Sequence, residues 1–221
     1  METCSACGQR IQPKDPAEAI REGLYEAAVA SKSDIHEHLP LLRQLASECS
    51  HVTELGLRGA NGSTIAFLAA QPAEFISYDL NPASVVSQPV ADLISCAGKT
   101  RFQPRCGDST KIRIEDTDLL FVDTFHTGKQ LFGELNRHFQ RVRRYIICHD
   151  TATFGDVGED GSSGLRIAIR KFQKEDGWPL WELTHDLPNC NGLVVLRNIY
   201  ADQPENWEKV RSQNFKWTKD T

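Results

Sequence analysis

The sequence lacks any apolar run of the roughly 20 residues that a membrane-spanning helix requires. Residues Met1-Glu2-Thr3-Cys4 also lack the charged and apolar regions of a signal peptide, and no period of about 20 to 50 residues repeats along the chain. A chain of 221 residues, 40% of them hydrophobic, can bury one substantial core. We therefore predict a cytoplasmic protein with one main domain.

An excess of positive charge is also absent, since the formal net charge is -5. Nucleic-acid-binding proteins need a clustered positive field, and the only local basic cluster is interpreted as a solvated helix end. That cluster consists of Arg137, Arg141, Arg143 and Arg144. We expect a small-molecule substrate, no nucleic acid and no membrane, and a homo-oligomer stays open.

Patterns that indicate a structural metal or a disulfide framework are sparse. The seven cysteines are odd in number and scattered, which is typical of reduced thiols. Cys4 and Cys7 have the spacing of half a zinc ribbon, but no second pair follows, so a frayed terminus is favoured over zinc. His36 and His38 flank Glu37, and we interpret them as surface residues rather than ligands.

Helical and strand-like segments alternate along the chain and predict an α/β fold. Strands are predicted at 52–57, 75–80, 101–106, 118–123, 145–148, 180–184 and 192–197, and helices at 13–31, 33–46, 63–70, 82–97, 129–142 and 164–174. Successive strand–helix units imply a parallel sheet, and the closing pair implies an antiparallel edge. We expect a doubly wound, mostly parallel seven-stranded sheet preceded by N-terminal helices.

The segment 54–64 joins the first strand to its helix through a glycine-rich turn. Its G-x-x-G-x-x-G spacing differs from the G-x-G-x-x-G of dinucleotide binders. Glu54 precedes the first glycine, and an acid there suits the positive charges of S-adenosylmethionine (SAM) better than a pyrophosphate. The residues predicted to bind the cofactor in this turn are Glu54, Gly56, Arg58, Gly59, Gly62, Ser63 and Thr64.

Acids also follow the next two predicted strands. Asp79 can accept hydrogen bonds from both ribose hydroxyls, and Asp108 can accept one from the adenine amino group while the Ser109 amide addresses the ring. Capping of loops is the alternative role for both acids. Because parallel strands present their carboxyl ends at one sheet edge, we expect these side chains to converge with Glu54 and Asp123.

Two further segments carry a resemblance to a known family. They read Asp118-Leu-Leu-Phe-Val-Asp123-Thr-Phe-His126 and Ile146-Ile-Cys-His149-Asp150-Thr151. With the turn, they make residues 34–198 resemble the class I SAM-dependent methyltransferases, which have a Rossmann-like fold. Within that superfamily the chain is most similar to the small-molecule O-methyltransferases of macrolide-sugar and cephalosporin-hydroxylase type.

The resemblance implies that Asp123 and Asp150 hold Mg²⁺ and that His126 is the general base. His149 is grouped with these catalytic candidates, yet it stands where relatives often have a Glu before the Asp, and imidazole is a poor ligand for Mg²⁺. Another divalent ion, or no metal, therefore stays open. Both histidines can alternatively be strand-end residues that hydrogen-bond the backbone.

The remaining segments allow more than one interpretation. Residues 1–33 form a cap or a subunit interface, and residues 199–221 form a polar tail with Trp207 and Trp217 as candidate anchors. The acidic, glycine-rich loop 151–164 is interpreted as a lid or as a solvated loop. The alternatives to a methyltransferase are a catalytically silent SAM-binding protein and, with less support, an NAD-dependent oxidoreductase.

Overall fold

A computed structural model describes residues 15–175 and 180–214 of the chain. The strands in this part of the chain are β1 (His51–Leu55), β2 (Glu74–Asp79), β3 (Arg101–Cys106), β4 (Thr117–Val122), β5 (Val142–His149), β6 (Trp181–Leu187) and β7 (Leu193–Asn198). They form one seven-stranded sheet in the order β3-β2-β1-β4-β5-β7-β6. Strands β1 to β5 are parallel, and β7 pairs antiparallel with both β5 and β6.

This topology confirms the predicted fold class. The strand that runs antiparallel to its neighbours is β7, and it lies between β5 and the edge strand β6. The central strands are buried along their length, as in the run Leu119, Leu120 and Phe121 of β4. Such continuous apolar runs are typical of parallel strands that are covered on both faces.

Helices cover both faces of the sheet. They are α1 (Pro16–Ala30), α2 (Leu39–Ser47), α3 (Ser63–Ala70), α4 (Pro82–Val85), α5 (Gln88–Cys96), α6 (Gly128–His138), α7 (Leu165–Glu175) and α8 (Pro204–Asn214). One apolar core includes buried residues of α2, α3 and α5, and the other includes those of α6, α7 and α8. Among the described residues, none of the helices combines the length and apolar character needed to span a bilayer.

Several predicted element boundaries are wrong. The predicted helix 33–46 begins only at Leu39, after a 3-10 turn over His36–His38, and the predicted helix 82–97 is divided between α4 and α5. The helix predicted at 129–142 ends at His138, and β5 begins at Val142 rather than at Tyr145. The starts of α2 and α5 have local signals that the prediction missed, since Pro40 and Pro89 occupy their first turns.

Only part of the basic cluster is a helix end, because Arg137 lies in the last turn of α6 whereas Arg143 and Arg144 belong to β5. The Arg143 guanidinium lies 3.7 Å from Asp118, and that of Arg144 lies 3.1 Å from Asp202. Because β5 starts earlier than predicted, these side chains project from the sheet toward neighbouring acids. These two arginines therefore form ion pairs, and the Arg141 guanidinium likewise lies 2.8 Å from Asp116.

The segment after the sheet is anchored to the domain. Trp207 of α8 is 1% exposed, and its ring lies edge-on to that of Trp181 with centroids 6.4 Å apart. This position confirms Trp207 as an anchor. Cys4, Cys7 and Trp217 lie outside the described residues, so the zinc hypothesis and the role of Trp217 stay predictions.

Candidate active site

The turn between β1 and α3 adopts a backbone that requires glycine at its first position. Gly56 has φ +103°, and a Cβ there would lie 1.9 Å from the carbonyl oxygen of Asp123. Arg58, Ala60 and Gly62 also have positive φ, at 45°, 53° and 56°. Such dihedrals are costly for residues with a side chain and persist where the surrounding structure enforces them. The turn is therefore a tightly specified element rather than a generic loop.

Glu54 stabilises this turn through hydrogen bonds from side chains of α3 and β2. Its side chain has no exposed surface, and its carboxylate accepts hydrogen bonds from Ser63 at 2.7 Å, Thr64 at 2.9 Å and Ser77 at 2.5 Å. Burial raises the pKa of Glu54 to about 7, although the three hydroxyl donors oppose this rise. The carboxylate is enclosed by its donors and lines neither cavity described below, and direct contact between Glu54 and the cofactor stays a prediction.

Asp79, at the end of β2, ties the turn to the next strand. Its Oδ2 accepts a hydrogen bond from the Arg58 amide at 2.6 Å, and its Oδ1 accepts one from the Asn81 amide at 2.7 Å. The carboxylate is half-buried and borders a cavity. Asp79 therefore shapes the turn and faces the space where a nucleoside is predicted.

Asp108 borders the same cavity after β3. Its Oδ2 lies 2.8 Å from the Lys111 ammonium, and its Oδ1 accepts a hydrogen bond from the Thr110 amide at 2.9 Å. The bond from Lys111, followed by those from Thr110, lowers the pKa of Asp108 to about 2. The carboxylate is therefore ionised and is an acceptor at the cavity wall.

Ser109 leads to a buried acid that the sequence did not reveal. Its hydroxyl donates to Glu134 Oε1 at 2.5 Å, while Thr124 donates to both oxygens of Glu134 at 2.8 and 2.9 Å and Gln130 donates to Oε1 at 3.0 Å. Glu134 has no exposed surface, and burial raises its pKa. These bonds link α6 to the loops after β3 and β4. No local pattern marks Glu134, because its partners come from three separate segments.

The predicted catalytic residues do converge at the ends of β4 and β5. His126 Nε2 lies 2.8 Å from Asp150 Oδ2 and 3.3 Å from Asp123 Oδ1. His149 Nδ1 lies 3.6 Å from Asp123 Oδ2 and 3.5 Å from Asp150 Oδ2. The two imidazoles can therefore balance the negative charge of two carboxylates that are largely buried.

These contacts between imidazole and carboxylate groups determine the protonation of the cluster. Burial lowers the pKa of each histidine, but the nearby carboxylates of Asp123 and Asp150 outweigh it and raise the pKa of both His126 and His149 to about 10. Burial likewise raises the pKa of each aspartate, but the imidazoles outweigh it and hold the pKa of both below the ordinary value. At neutral pH His126 is a cation here, and it can accept a proton only after losing its own.

His149 also has the backbone contacts expected of a strand-end histidine. Its side chain has no exposed surface, and its Nε2 lies 3.1 Å from the Asp34 carbonyl and 3.2 Å from that of Cys190. His149 therefore connects the acidic pair to the segment before α2 and to the β6–β7 turn. It does not border either cavity.

Asp123, His126 and Asp150 also fit a divalent cation. One ligand atom from each lies within 4.8 Å of the others, and Asp150 Oδ1 is buried without a hydrogen-bond partner among the described residues. Asp150 has φ +58°, an unusual conformation for a residue with a side chain. A set of two carboxylates and one imidazole suits Mn²⁺, Fe²⁺ or Zn²⁺ better than Mg²⁺.

Two cavities meet at this cluster and share Gly56, Arg58 and Asp123 as lining residues. The first, of about 560 Å³, also borders Asp79, Asp108, Ser109, Thr124, Phe125, His126, Gln130 and Glu159. The second, of about 520 Å³, also borders α1, the loop after it, and Gly59, Gly62 and Ser63 of the turn. Together they form one cleft at the carboxyl ends of the strands, where open α/β sheets bind ligands. Thr64 and Asp150 are buried and do not line this cleft.

The loop 151–164 packs against this cleft through backbone bonds. Glu159 donates its amide to the His126 carbonyl at 3.1 Å, and its carboxylate accepts the His126 amide at 2.9 Å. Gly128 donates to the Ser163 carbonyl at 2.7 Å, and the His126 ring stacks on Phe154 with centroids 4.7 Å apart. The loop is thus a hydrogen-bonded wall of the cleft, and its action as a lid stays a prediction.

Comparison with known proteins identifies the fold. A scan against protein-family models gives no match, and a search of curated protein sequences gives none either. An O-methyltransferase from Bacillus cereus in complex with SAH is similar in structure, with a TM-score of 0.58, 18% identity, and 85% of this chain and 93% of that chain covered. The chain has the fold of an O-methyltransferase.

Other solved structures agree with this assignment. TomG from Streptomyces achromogenes, an O-methyltransferase involved in tomaymycin synthesis and solved with SAM, has a TM-score of 0.56 and 16% identity, with 84% of this chain and 90% of that chain covered. Cofactor-bound Rv0187 from MTB has a TM-score of 0.58 and 18% identity, with the same shares covered. The predicted resemblance is therefore confirmed for the fold. The roles of the site residues stay predictions.

Proposed function

We propose that this protein is a SAM-dependent methyltransferase that transfers a methyl group to a hydroxyl of a small molecule. The observation that carries the proposal is one cleft lined by the glycine turn, Asp123 and His126, with buried Asp150 in contact with His126. A cofactor on the turn would lie next to ionisable groups that can handle a hydroxyl proton. A cytoplasmic location and a soluble small-molecule substrate are part of the same proposal.

The charge of the cleft favours SAM over a dinucleotide. Its walls include Asp79, Asp108, Asp123 and Glu159, against two cations, Arg58 near the turn and the His126 imidazolium. SAM carries an ammonium and a sulfonium, whereas a dinucleotide carries an anionic pyrophosphate that these acids would repel. We place the ribose against Asp79 and the adenine near Asp108 and Ser109, with Glu54 stabilising the turn indirectly.

The transfer itself requires alignment and the removal of one proton. The S–CH₃ bond of SAM breaks as a new C–O bond forms to the substrate hydroxyl, which leaves S-adenosylhomocysteine. The hydroxyl proton passes to His126 Nε2, which must be neutral at that moment. Asp123 and Asp150 orient this nitrogen, and Glu159 Oε2, 3.4 Å from His126 Nδ1, orients the other side of the ring.

A divalent ion bound to Asp123, His126 and Asp150 would orient a substrate oxygen and lower its pKa. In that arrangement His126 is a ligand, so another group or solvent must take the proton. These two uses of His126 are mutually exclusive for a single nitrogen. Measuring whether added Mn²⁺ or Zn²⁺ raises or lowers the transfer rate distinguishes His126 as a metal ligand from His126 as a general base.

A catalytically silent SAM-binding protein is the second candidate. The observation in its favour is the internal pairing of the cluster, in which both carboxylates already have imidazole partners. Such a protein would bind SAM in the same cleft without turnover. Only an assay for transfer separates it from an enzyme.

The test uses the full chain, methyl-labelled SAM and a panel of catechols, sugars and other hydroxylated small molecules, with and without Mg²⁺, Mn²⁺ and Zn²⁺. We expect labelled product from at least one acceptor, and a loss of at least about 100-fold on His126→Gln, as for a general base. His185→Gln is the matched control, because His185 on β6 borders neither cavity. SAM binding without any labelled product would favour the silent protein, and transfer unaffected by His126→Gln would refute the assigned base.

A further inference from the structure

We propose that His36, Glu37 and Cys190 form a second metal site, which takes a borderline transition-metal ion such as Zn²⁺. The first two residues lie in the 3-10 turn between α1 and α2, and Cys190 lies in the turn between β6 and β7. These segments are more than 150 residues apart in the sequence, with His36 and Cys190 separated by 154 positions. The sequence-based interpretation of His36 as a surface residue did not include Cys190.

The donor atoms are already close to a ligand arrangement. One atom from each residue lies within 4.8 Å of the others. His36 Nδ1 lies 3.4 Å from Cys190 Sγ, and His36 Nε2 lies 3.9 Å from Glu37 Oε1. Tetrahedral zinc with bonds of about 2.0 to 2.3 Å places its ligand atoms about 3.5 Å apart. The thiol lies nearer Nδ1 and the carboxylate nearer Nε2, so the Cys190 side chain must rotate toward Nε2 to bring all three residues onto one ion.

Backbone and side-chain partners orient two of the donors. His36 Nδ1 lies 2.7 Å from the Ser33 carbonyl, and an N–H donated there leaves Nε2 with a lone pair for the ion. The Asn189 side-chain amide donates to Glu37 Oε2, which leaves Oε1 available. Metal-binding histidines and carboxylates are commonly fixed by such outer contacts. The same two turns thus supply both the ligands and their supports.

The donor types indicate the class of ion. A sulfur, a nitrogen and an oxygen suit Zn²⁺ or Co²⁺ and are poor for Mg²⁺, and water would complete a tetrahedral set. Binding breaks the S–H bond of Cys190, forms a sulfur–metal bond and releases the proton to solvent. Because Asp123, His126 and Asp150 include no sulfur, the two sites have different spectroscopic signatures.

An ion here would clamp two segments that both contact His149. The carbonyls of Asp34 and Cys190 lie 3.1 and 3.2 Å from His149 Nε2, and Asp34 borders the cleft. Bridging the segments would fix both carbonyls and the cleft wall beside them. The inferred role is therefore structural support for the position of His149.

The test is a Co²⁺ titration of the full chain carrying Cys4→Ser and Cys7→Ser, so that the N-terminal thiols cannot contribute. We expect a thiolate-to-cobalt charge-transfer absorption that saturates at about one equivalent. Cys190→Ser should abolish it. Cys106→Ser, which removes another exposed thiol, should leave it unchanged.

Two further variants test the site without changing Cys190 or its turn. Glu37 has a side chain that is 53% exposed, so Glu37→Gln should fold normally. His36→Gln and Glu37→Gln should each weaken Co²⁺ binding at least tenfold, since loss of an outer contact alone costs about 10- to 100-fold. Absorption that survives Cys190→Ser, affinity unaffected by both substitutions, or no absorption at about millimolar Co²⁺ would each overturn the site.

Discussion

The buried carboxylate of Glu54 should make the stability of the protein depend on pH in a way that Glu54→Gln removes. Glutamine keeps the size of the side chain and can still accept and donate hydrogen bonds with Ser63, Thr64 and Ser77, but it does not titrate. Differences between the two proteins therefore isolate the ionisation of this one group.

The magnitude follows from the raised pKa of Glu54. In the folded protein this pKa is about 7, against an ordinary value of 4.5. Between these values the unfolded chain has released the proton that the folded chain retains, so the free energy of unfolding falls as pH rises. The whole interval corresponds to about 3 kcal/mol, because one pKa unit is about 1.4 kcal/mol. Above pH 7 the dependence on this group levels off.

Urea denaturation of wild type and Glu54→Gln at several pH values between about 4.5 and 8 measures this effect. We expect the free energy of unfolding of wild type, relative to the variant, to fall by about 3 kcal/mol over the range. Contributions from other titrating groups cancel in the comparison. A difference that stays constant within about 0.5 kcal/mol would refute the assignment of Glu54 as an enclosed, desolvated acid.

Two other substitutions test the turn and the C-terminal anchor. Gly56→Ala should abolish S-adenosylhomocysteine binding in titration calorimetry, because the new Cβ would lie 1.9 Å from the Asp123 carbonyl oxygen. Gly23→Ala in α1 is the control and should bind normally, because its Cβ would meet no atom within 4 Å. Equal binding by both variants would contradict this. Trp207→Ala should lower the free energy of unfolding, measured in urea, by about 3 to 5 kcal/mol, because it leaves a cavity beside Trp181. A loss under about 1 kcal/mol would contradict the role of Trp207 as an anchor.

The order of elements could be predicted from the sequence because the relevant signals are local. Apolar runs such as that of β4 identify buried parallel strands, and Gly56 marks the turn after β1. The break between α4 and α5 has a local signal that the prediction missed, because Ser87 and Pro89 mark a helix start within 82–97. The early start of β5 could not be predicted, since no strong terminating residue precedes Val142. Arg143 and Arg144 appear as helix-end charges in sequence, yet they lie in β5 and form ion pairs with acids from distant segments.

The candidate site shows the same division. Asp123, His126 and Asp150 follow predicted strands, so their convergence follows from the topology of a parallel sheet. The enclosure of Glu54 could not be predicted, because it depends on Ser77 from β2 as well as on the turn. Glu134 is a comparable case, since its partners meet only in the folded chain.

Calorimetric titration of S-adenosylhomocysteine into the full chain tests the central claim, that the cleft beside the glycine turn binds SAM. We expect saturable binding at one site, which Asp79→Ala weakens at least tenfold because it removes the acceptor at the end of β2. Asp92→Ala, at an exposed position of α5, should bind like wild type. A folded protein that gives no binding heat at about millimolar ligand would contradict the claim.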